Sequence, residues 1–289
     1  MDLVVHPFFD RDTFTWSYLI ANPPTRRAAI IDPVLGYERA TGTIDTRGAE
    51  RILEVVEANG YCVEWILETH VHADHLTAAR YLKPRLPCAQ IAIGEHVRDA
   101  QALLAPRLGL GIATDGRQFD RLLRDGERLR VGHACGRVMH TPGHTGACVS
   151  YLFDGLAFVG DTVFLPDQGT ARCDFPGGDP RELYHSVQKL YRLPGDTRLL
   201  VGHDYGGLDR TRDFRFSARV AEQRVANRML RADTPVTEFV EARTARDRSL
   251  DPPALIEPAL RANLDGGTVP PAAAGDGAAA LDAKCRAVA

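Results

Sequence analysis

Two strand-rich blocks, each followed by helical stretches, predict an α/β (α+β) fold in which two packed sheets carry helices on both outer faces. In the first block Val63, Trp65 and Leu67 alternate with Glu64 and Glu68, the period-two signature of a half-buried strand. In the second, four short apolar runs between Arg128 and Val159 are joined by glycine-bearing turns. No linker of biased composition divides the chain before Leu264, which predicts one domain over residues 1–264.

Taken in order, residues 13–20 and 28–31 read as strands around a turn at Asn22-Pro23-Pro24, an antiparallel start. Residues 49–59 put Ile52, Val55 and Val56 on one helical face and stop at Gly60, the residue type that most readily turns left-handed past a helix end. That helix feeds the strand 63–67; after a loop, residues 76–82 read as a helix, 91–94 as a strand and 95–105 as a helix closed by Pro106. In the second block residues 128–131, 137–141, 148–153 and 157–159 predict strands. Residues 180–191 predict a helix opened by Pro180, 198–201 a buried strand, and 216–230 and 237–246 helices. From 265 to 289 the chain turns to Ala, Gly and Pro, with too little apolar surface to order itself, and is expected to be a mobile tail.

An apolar fraction of 44% sustains a substantial core, while 35 basic against 38 acidic residues leave a net charge of −3. That balance argues against nucleic acid or an anionic membrane as partner and for a small molecule. Neither a long apolar run nor a basic segment with an apolar stretch behind Met1 signals a membrane span or secretion, so the expected address is the cytoplasm. Cys62, Cys88, Cys135, Cys148, Cys173 and Cys285 show no Cys-x-x-Cys pair and no framework spacing, which predicts reduced thiols and no structural disulfide. A homodimer is compatible with these features.

The chemistry concentrates in Thr69-His70-Val71-His72-Ala73-Asp74-His75, on the loop between a predicted strand and helix. Three histidines within six residues is a rare density, and imidazole is the commonest metal ligand. Extended geometry can turn His70 and His72 toward one point, and Asp74 and His75 toward a neighbouring one. Three more candidates each close a predicted strand: His144 in Pro142-Gly143-His144, Asp161 in Gly160-Asp161-Thr162, and His203 in Gly202-His203-Asp204. Singly they read as a turn histidine, a cap and a buried polar residue. Placed at strand ends along one edge of a layered fold, they can converge on the first cluster.

His-x-His-x-Asp-His, then Pro-Gly-His, Gly-Asp-Thr and Gly-His-Asp in that order, resembles the metallo-β-lactamase superfamily over most of residues 3 to 230. The resemblance implies an αββα sandwich of two mixed sheets with the metal at one sheet edge. That superfamily includes dinuclear zinc hydrolases, flavodiiron proteins, glyoxalase II and mononuclear iron dioxygenases, so the reaction is read from other residues. Gly169-Thr170-Ala171-Arg172-Cys173-Asp174-Phe175, Leu193-Pro194-Gly195-Asp196 and His203-Asp204-Tyr205 look like the persulfide dioxygenases. By that resemblance one Fe(II) per chain is held by His70, His144 and Asp161, leaving positions open for a persulfide and O2. The implied reaction, in sulfide detoxification, oxidises the sulfane sulfur of glutathione persulfide or a related small persulfide to sulfite, with release of the thiol. His72, Asp74, His75 and His203 would then support the ligands. Spacing equally allows them to hold a second metal, so two zinc ions or mixed metals, and a glyoxalase II-like thioester hydrolase, stay open.

The family places an arginine of this motif beside the substrate, which makes Arg172 the candidate for binding a substrate carboxylate. Tyr205 is expected to donate a hydrogen bond near the open metal positions. Cys173 reads as a small buried hydrophobe, and Arg210, Arg212, Arg215, Arg219, Arg224, Arg228 and Arg231 as one solvated helix face.

Overall fold

The computed structural model describes residues 3–207 and 212–269. Strand β1 (Val4–Asp10), which the sequence reading did not anticipate, pairs antiparallel with β2 (Thr15–Asn22), and β2 with β3 (Arg27–Ile31). A side hairpin of β4 (Val34–Glu38) and β5 (Thr43–Asp45) precedes α1 (Arg47–Ala58), which returns the chain to β6 (Cys62–Glu68), parallel to β3. Past the histidine loop, β7 (Leu76–Thr77) pairs with β4, and α2 (Ala79–Leu82) leads to β8 (Gln90–Gly94), α3 (Val97–Leu104) and β9 (Arg121–Leu123). The second half comprises β10 (Arg128–Val131), β11 (Ala134–His140), β12 (Val149–Phe153), β13 (Leu156–Gly160), α4 (Pro180–Tyr191), β14 (Arg198–Val201) and β15 (Ser217–Arg219). It closes with α5 (Val220–Ala226), α6 (Val236–Asp247) and α7 (Ile256–Leu264).

The two large sheets have the orders β1-β2-β3-β6-β8-β9 and β10-β11-β12-β13-β14-β15, each mixing parallel and antiparallel pairs. Side-chain alternation explains the layering. Every residue of β2 is buried: Tyr18 and Ile20 join the core shared with the second sheet, while Leu19 and Ala21 join the outer core with Ile52 of α1 and Val97 of α3. Strand β3 divides the same way, Ala29 and Ile31 against Ala28 and Ile30. Leu183, Val187 and Leu190 of α4 pack with the second sheet, completing an αββα sandwich. Two tyrosines tie the layers: the Tyr18 hydroxyl donates to the Val201 carbonyl and the Tyr151 hydroxyl to the Glu68 carbonyl, each at 2.6 Å.

Besides unanticipated elements such as β1, the structure departs from the sequence reading in four stretches. Leu76 and Thr77 extend as β7 where a helix was expected, because the Thr77 amide donates to Asn263 Oδ1 at 2.9 Å and its hydroxyl to Glu68. The helix expected over 216–230 opens as β15, which completes the sheet edge beside β14, and ends where Asn227 Oδ1 caps the amides of Met229 and Leu230. The arginine run is therefore no single helix face: Arg212 binds Asp167 and Asp204, and Arg224 donates to main-chain carbonyls, while Arg210 lies outside the described residues. Gly266 and Gly267, expected in the tail, are buried beside Gln118 and Thr77, so the body continues past 264; the rest of the expected tail, 270–289, lies outside the described residues. Among the described residues no helix is long and apolar enough to cross a membrane, and the five described cysteines are unbridged.

Tyr151→Phe removes one buried cross-sheet hydrogen bond and nothing else. It is expected to lower unfolding stability by about 1 kcal/mol, read from urea denaturation followed by circular dichroism. An unchanged midpoint would show that this bond does not hold the sheets together.

Candidate metal centre

The candidate ligands leave the ends of strands: the histidine loop from β6, His144 after β11, Asp161 from β13 and His203 from β14. Main-chain bonds hold these ends together, Val149 N to Thr69 O at 2.9 Å, Gly202 N to Gly160 O at 3.0 Å and Trp16 N to Gly202 O at 2.8 Å. Gly160 has φ +47°, and a Cβ there would lie 2.4 Å from Thr69 Oγ1. Only glycine permits Asp161 and the histidine loop to approach this closely.

His70, His144 and Asp161 are buried and offer ligand atoms within 4.8 Å of one another. His144 Nε2 lies 3.7 Å from Asp161 Oδ2, and the His70 and His144 rings stand edge to face at 5.0 Å. The outer contacts of both rings decide their tautomers. His144 Nδ1 donates to the Arg172 carbonyl at 2.7 Å. His70 Nδ1 meets Thr69 Oγ1 at 3.0 Å, and that hydroxyl is itself donated to Asp32 Oδ2 at 2.8 Å, so the ring must be the donor. Each imidazole therefore directs its Nδ1 proton outward and turns Nε2 inward. Burial, with His72 and His144 nearby, holds His70 well below its ordinary pKa, as a neutral ligand requires. His70 Nε2 is buried with no protein partner. Such atoms are rare unless a ligand satisfies them, and two inward Nε2 atoms with one carboxylate fit a divalent cation such as Fe(II).

His72, Asp74 and His75 form a neighbouring group of the same compactness. His75 Nδ1 meets Asp74 Oδ2 at 3.2 Å and leaves Nε2 buried and unpartnered. His203 Nε2 lies 3.3 Å from Asp74 Oδ2 and 3.4 Å from Asp161 Oδ1, so His203 links the two groups, while its Nδ1 donates to the Phe14 carbonyl at 3.3 Å. Burial opposes charging His203, but the Asp161 and Asp74 carboxylates raise it above its ordinary value.

Asp32 and Glu68 belong to the centre although sequence reasoning did not single them out. His72 Nε2 sits between Asp32 Oδ1 at 3.2 Å and Glu68 Oε2 at 3.3 Å; burial opposes protonation, yet the two carboxylates raise its basicity well above the ordinary value. Glu68 reads as the solvent face of a half-buried strand, but β6 is covered on both sides and Glu68 is buried. The only signal for Asp32 was its place at a strand end before Pro33.

Arg172 is already paired. Its Nε and Nη2 grip the Asp174 carboxylate at 2.6 Å each, Nη1 donates to the Asp251 carbonyl at 2.7 Å, and the guanidinium lies over the Phe175 ring. What it gives the centre directly is its carbonyl, on His144. Tyr205 stacks on His203 with centroids 5.7 Å apart and planes 7° from parallel, its ring 38% exposed at the rim. Partial desolvation, then the Asp161 and Asp74 carboxylates, raise the phenol well above its ordinary pKa, so it is a donor. Cys173 is buried as expected, and burial raises its thiol far above the usual range.

Alanine at His70, His144 or Asp161 is expected to remove most of the bound divalent metal in anaerobic metal analysis, while His203→Ala retains it. Full metal content in all three variants would dismiss this set.

The profile of the metallo-β-lactamase superfamily matches residues 10–203. The chain is 45% identical over 280 residues to a probable metallo-hydrolase of Burkholderia pseudomallei, covering 93% of this chain and 94% of that protein. It is 40% identical over 270 residues to glyoxylase B2 of Dictyostelium discoideum, with 92% of each covered. To the human mitochondrial persulfide dioxygenase ETHE1 it is 30% identical over 274 residues, covering 94% of this chain and 91% of that one. Against a β-lactamase hydrolase-like protein of Xylella fastidiosa, 47% identical over 267 residues, the match covers 92% of this chain but 61% of that relative's length. Among solved structures, ETHE1 from Myxococcus xanthus aligns with a TM-score of 0.73 at 30% identity, covering 91% of this chain and 99% of that one. With the sandwich, the strand-end ligands and these relatives in agreement, the chain belongs to the metallo-β-lactamase superfamily, and persulfide dioxygenases are among its homologues.

Proposed function

We propose that this protein is a mononuclear non-haem iron dioxygenase acting on glutathione persulfide or a related low-molecular-weight persulfide. The persulfide, O2 and water give the thiol, sulfite and two protons; the sulfane sulfur loses four electrons and dioxygen gains them. The observation that carries this reading is the set of His70, His144 and Asp161, with both imidazoles turned Nε2 inward by their outer hydrogen bonds. Homology to ETHE1 supports it. When bound, Fe(II) in a two-histidine, one-carboxylate set supplies neighbouring open positions for a persulfide and O2.

The chain's own residues hold that set in place. The Arg172 carbonyl fixes the His144 ring, and Asp32 fixes His70 through Thr69. Tyr205 offers a protonated hydroxyl at the rim, positioned by its stacking on His203. For Arg172 to clamp a glutathione carboxylate, its guanidinium must exchange Asp174 for the substrate, a like-for-like swap of bidentate partners. A cytoplasmic setting, where small thiols and protein cysteines stay reduced, accords with the reading.

A second reading, a dinuclear thioester hydrolase like glyoxalase II, draws on the group His72, Asp74 and His75 and on the names of the B. pseudomallei and D. discoideum relatives. One experiment separates the two. The iron-loaded protein is expected to consume O2 with glutathione persulfide, releasing sulfite, and to leave a glutathione thioester intact; thioester cleavage without O2 uptake would establish the hydrolase instead. Tyr205→Phe is expected to lower kcat more than it changes KM. Arg172→Ala is expected to raise KM with metal content kept, because the carbonyl that orients His144 survives the substitution.

A further inference from the structure

We propose that Asn263, in α7, is a positioning residue of the metal centre. It is buried, 4% exposed, and its one carboxamide makes two hydrogen bonds to the far half of the histidine loop and a third to β7 just beyond it. Nδ2 donates to the carbonyls of His72 and His75, at 2.8 Å each, and Oδ1 accepts from the Thr77 amide at 2.9 Å. Residues 69–75 belong to no strand or helix, so these carbonyls have no ladder partners to fall back on.

The contacts close a ring. Thr77 gives its hydroxyl to Glu68 Oε1 at 2.5 Å, Glu68 Oε2 faces His72 Nε2 at 3.3 Å, and the His72 carbonyl returns to Asn263. His72 is thereby fastened at its ring and at its backbone. The near half of the loop is held separately, by Asp32 on the Thr69 amide and hydroxyl. Without the carboxamide two buried carbonyls lose their donor, and the loop regains partners only by moving. His70, His72 and His75 would move with it, since their rings follow the backbone that carries them. Helix α7 lies beyond the 10–203 span of the family match, so the role rests on this geometry alone.

The test uses Co(II) as the metal, titrated anaerobically into apo full-length protein and followed by its visible absorption, alongside the melting temperature. Asn263→Asp is isosteric and keeps the acceptor for Thr77, but it sets an oxygen against two carbonyl oxygens; Asn263→Ala removes all three bonds. Ile256→Ala, buried at the other end of α7, is the control for lost packing. Both Asn263 variants are expected to weaken Co(II) binding by about 10–100-fold and shift its spectrum, while the control loses stability but stays within about twofold of the parent affinity. Parent-like affinity and spectrum in Asn263→Asp, or an equal loss in Ile256→Ala, would overturn the proposal and leave α7 a purely stabilising helix. Asn263→Asp decides the matter even where the alanine variant does not fold. Because binding is read without turnover, the result stands whichever reaction the enzyme performs.

Discussion

The buried carboxylate of Asp32 is the constraint around which the centre is arranged. Burial favours its neutral form, but His72 and the amide and hydroxyl of Thr69 converge on it and hold its pKa below the ordinary value. A buried charge is tolerable only when its lone pairs are met by donors in good geometry. Those donors are the first residues of the histidine loop, so satisfying Asp32 sets the course of the loop. Asp32 itself takes a left-handed turn, φ +47°, unusual for a residue with a side chain, while its amide bonds the Leu67 carbonyl and its carbonyl accepts from Ser17. The strain is carried by a residue bonded from every side.

The same economy explains why the ligands come from strand ends. A sandwich buries strand interiors on both faces, as the all-buried β2 shows, and leaves polar chemistry only where the ladders stop. At those ends the backbone must find partners outside its own strand. Val149 and Thr69, Gly202 and Gly160, and Trp16 and Gly202 bond one another, pinning four ligand segments to a common edge. Asp204, buried beside His203, gathers Arg212, Gln168 and the amides of Gly206 and Arg215, which fixes the turn that carries Tyr205.

What the sequence disclosed follows from how local each signal is. The candidate ligands could be picked out because histidine density and glycine-flanked strand ends are local features, and the structure brings them together; the alternation in residues 63–67 placed the loop after the strand that carries it. The helix over 237–246 was legible for the same reason. Glu68 was misread because period-two alternation cannot tell a solvent face from a second buried one; Thr77 of β7 and His72, which meet its carboxylate, decide that. Leu76-Thr77 carries helix-compatible residues, and tertiary bonds to Asn263 and Glu68, with the pairing to β4, draw them out straight. The short strands β4 and β5 and helix α7 lack a periodic stretch long enough to announce them. The sequence pointed to the Arg172 guanidinium, whereas it is the Arg172 carbonyl that meets His144; which group faces the centre depends on Asp174 and Asp251, one two residues away and the other distant in sequence.

The C-terminal helices α6 and α7, both past the family match, brace the two loops that carry ligands or their supports. Arg243 and Asp247 of α6 form a buried ion pair at 2.5 Å; Arg243 donates to the Thr170 carbonyl and Asp247 accepts the Cys173 amide. A buried ion pair contributes about nothing to stability relative to well-packed apolar side chains, because desolvation offsets the attraction. Its effect here is positional: with Thr170 and Cys173 clamped, the Arg172 carbonyl between them is held toward His144 Nδ1, so α6 acts on the orientation of a candidate ligand without contacting it. Asn263 acts from α7 on the opposite loop by the same logic. The centre is thus a product of the chain through Gly267, and a fragment ending at His203 would keep all seven candidate ligands and their side-chain partners yet lose Asn263 and the Arg243–Asp247 pair that brace them.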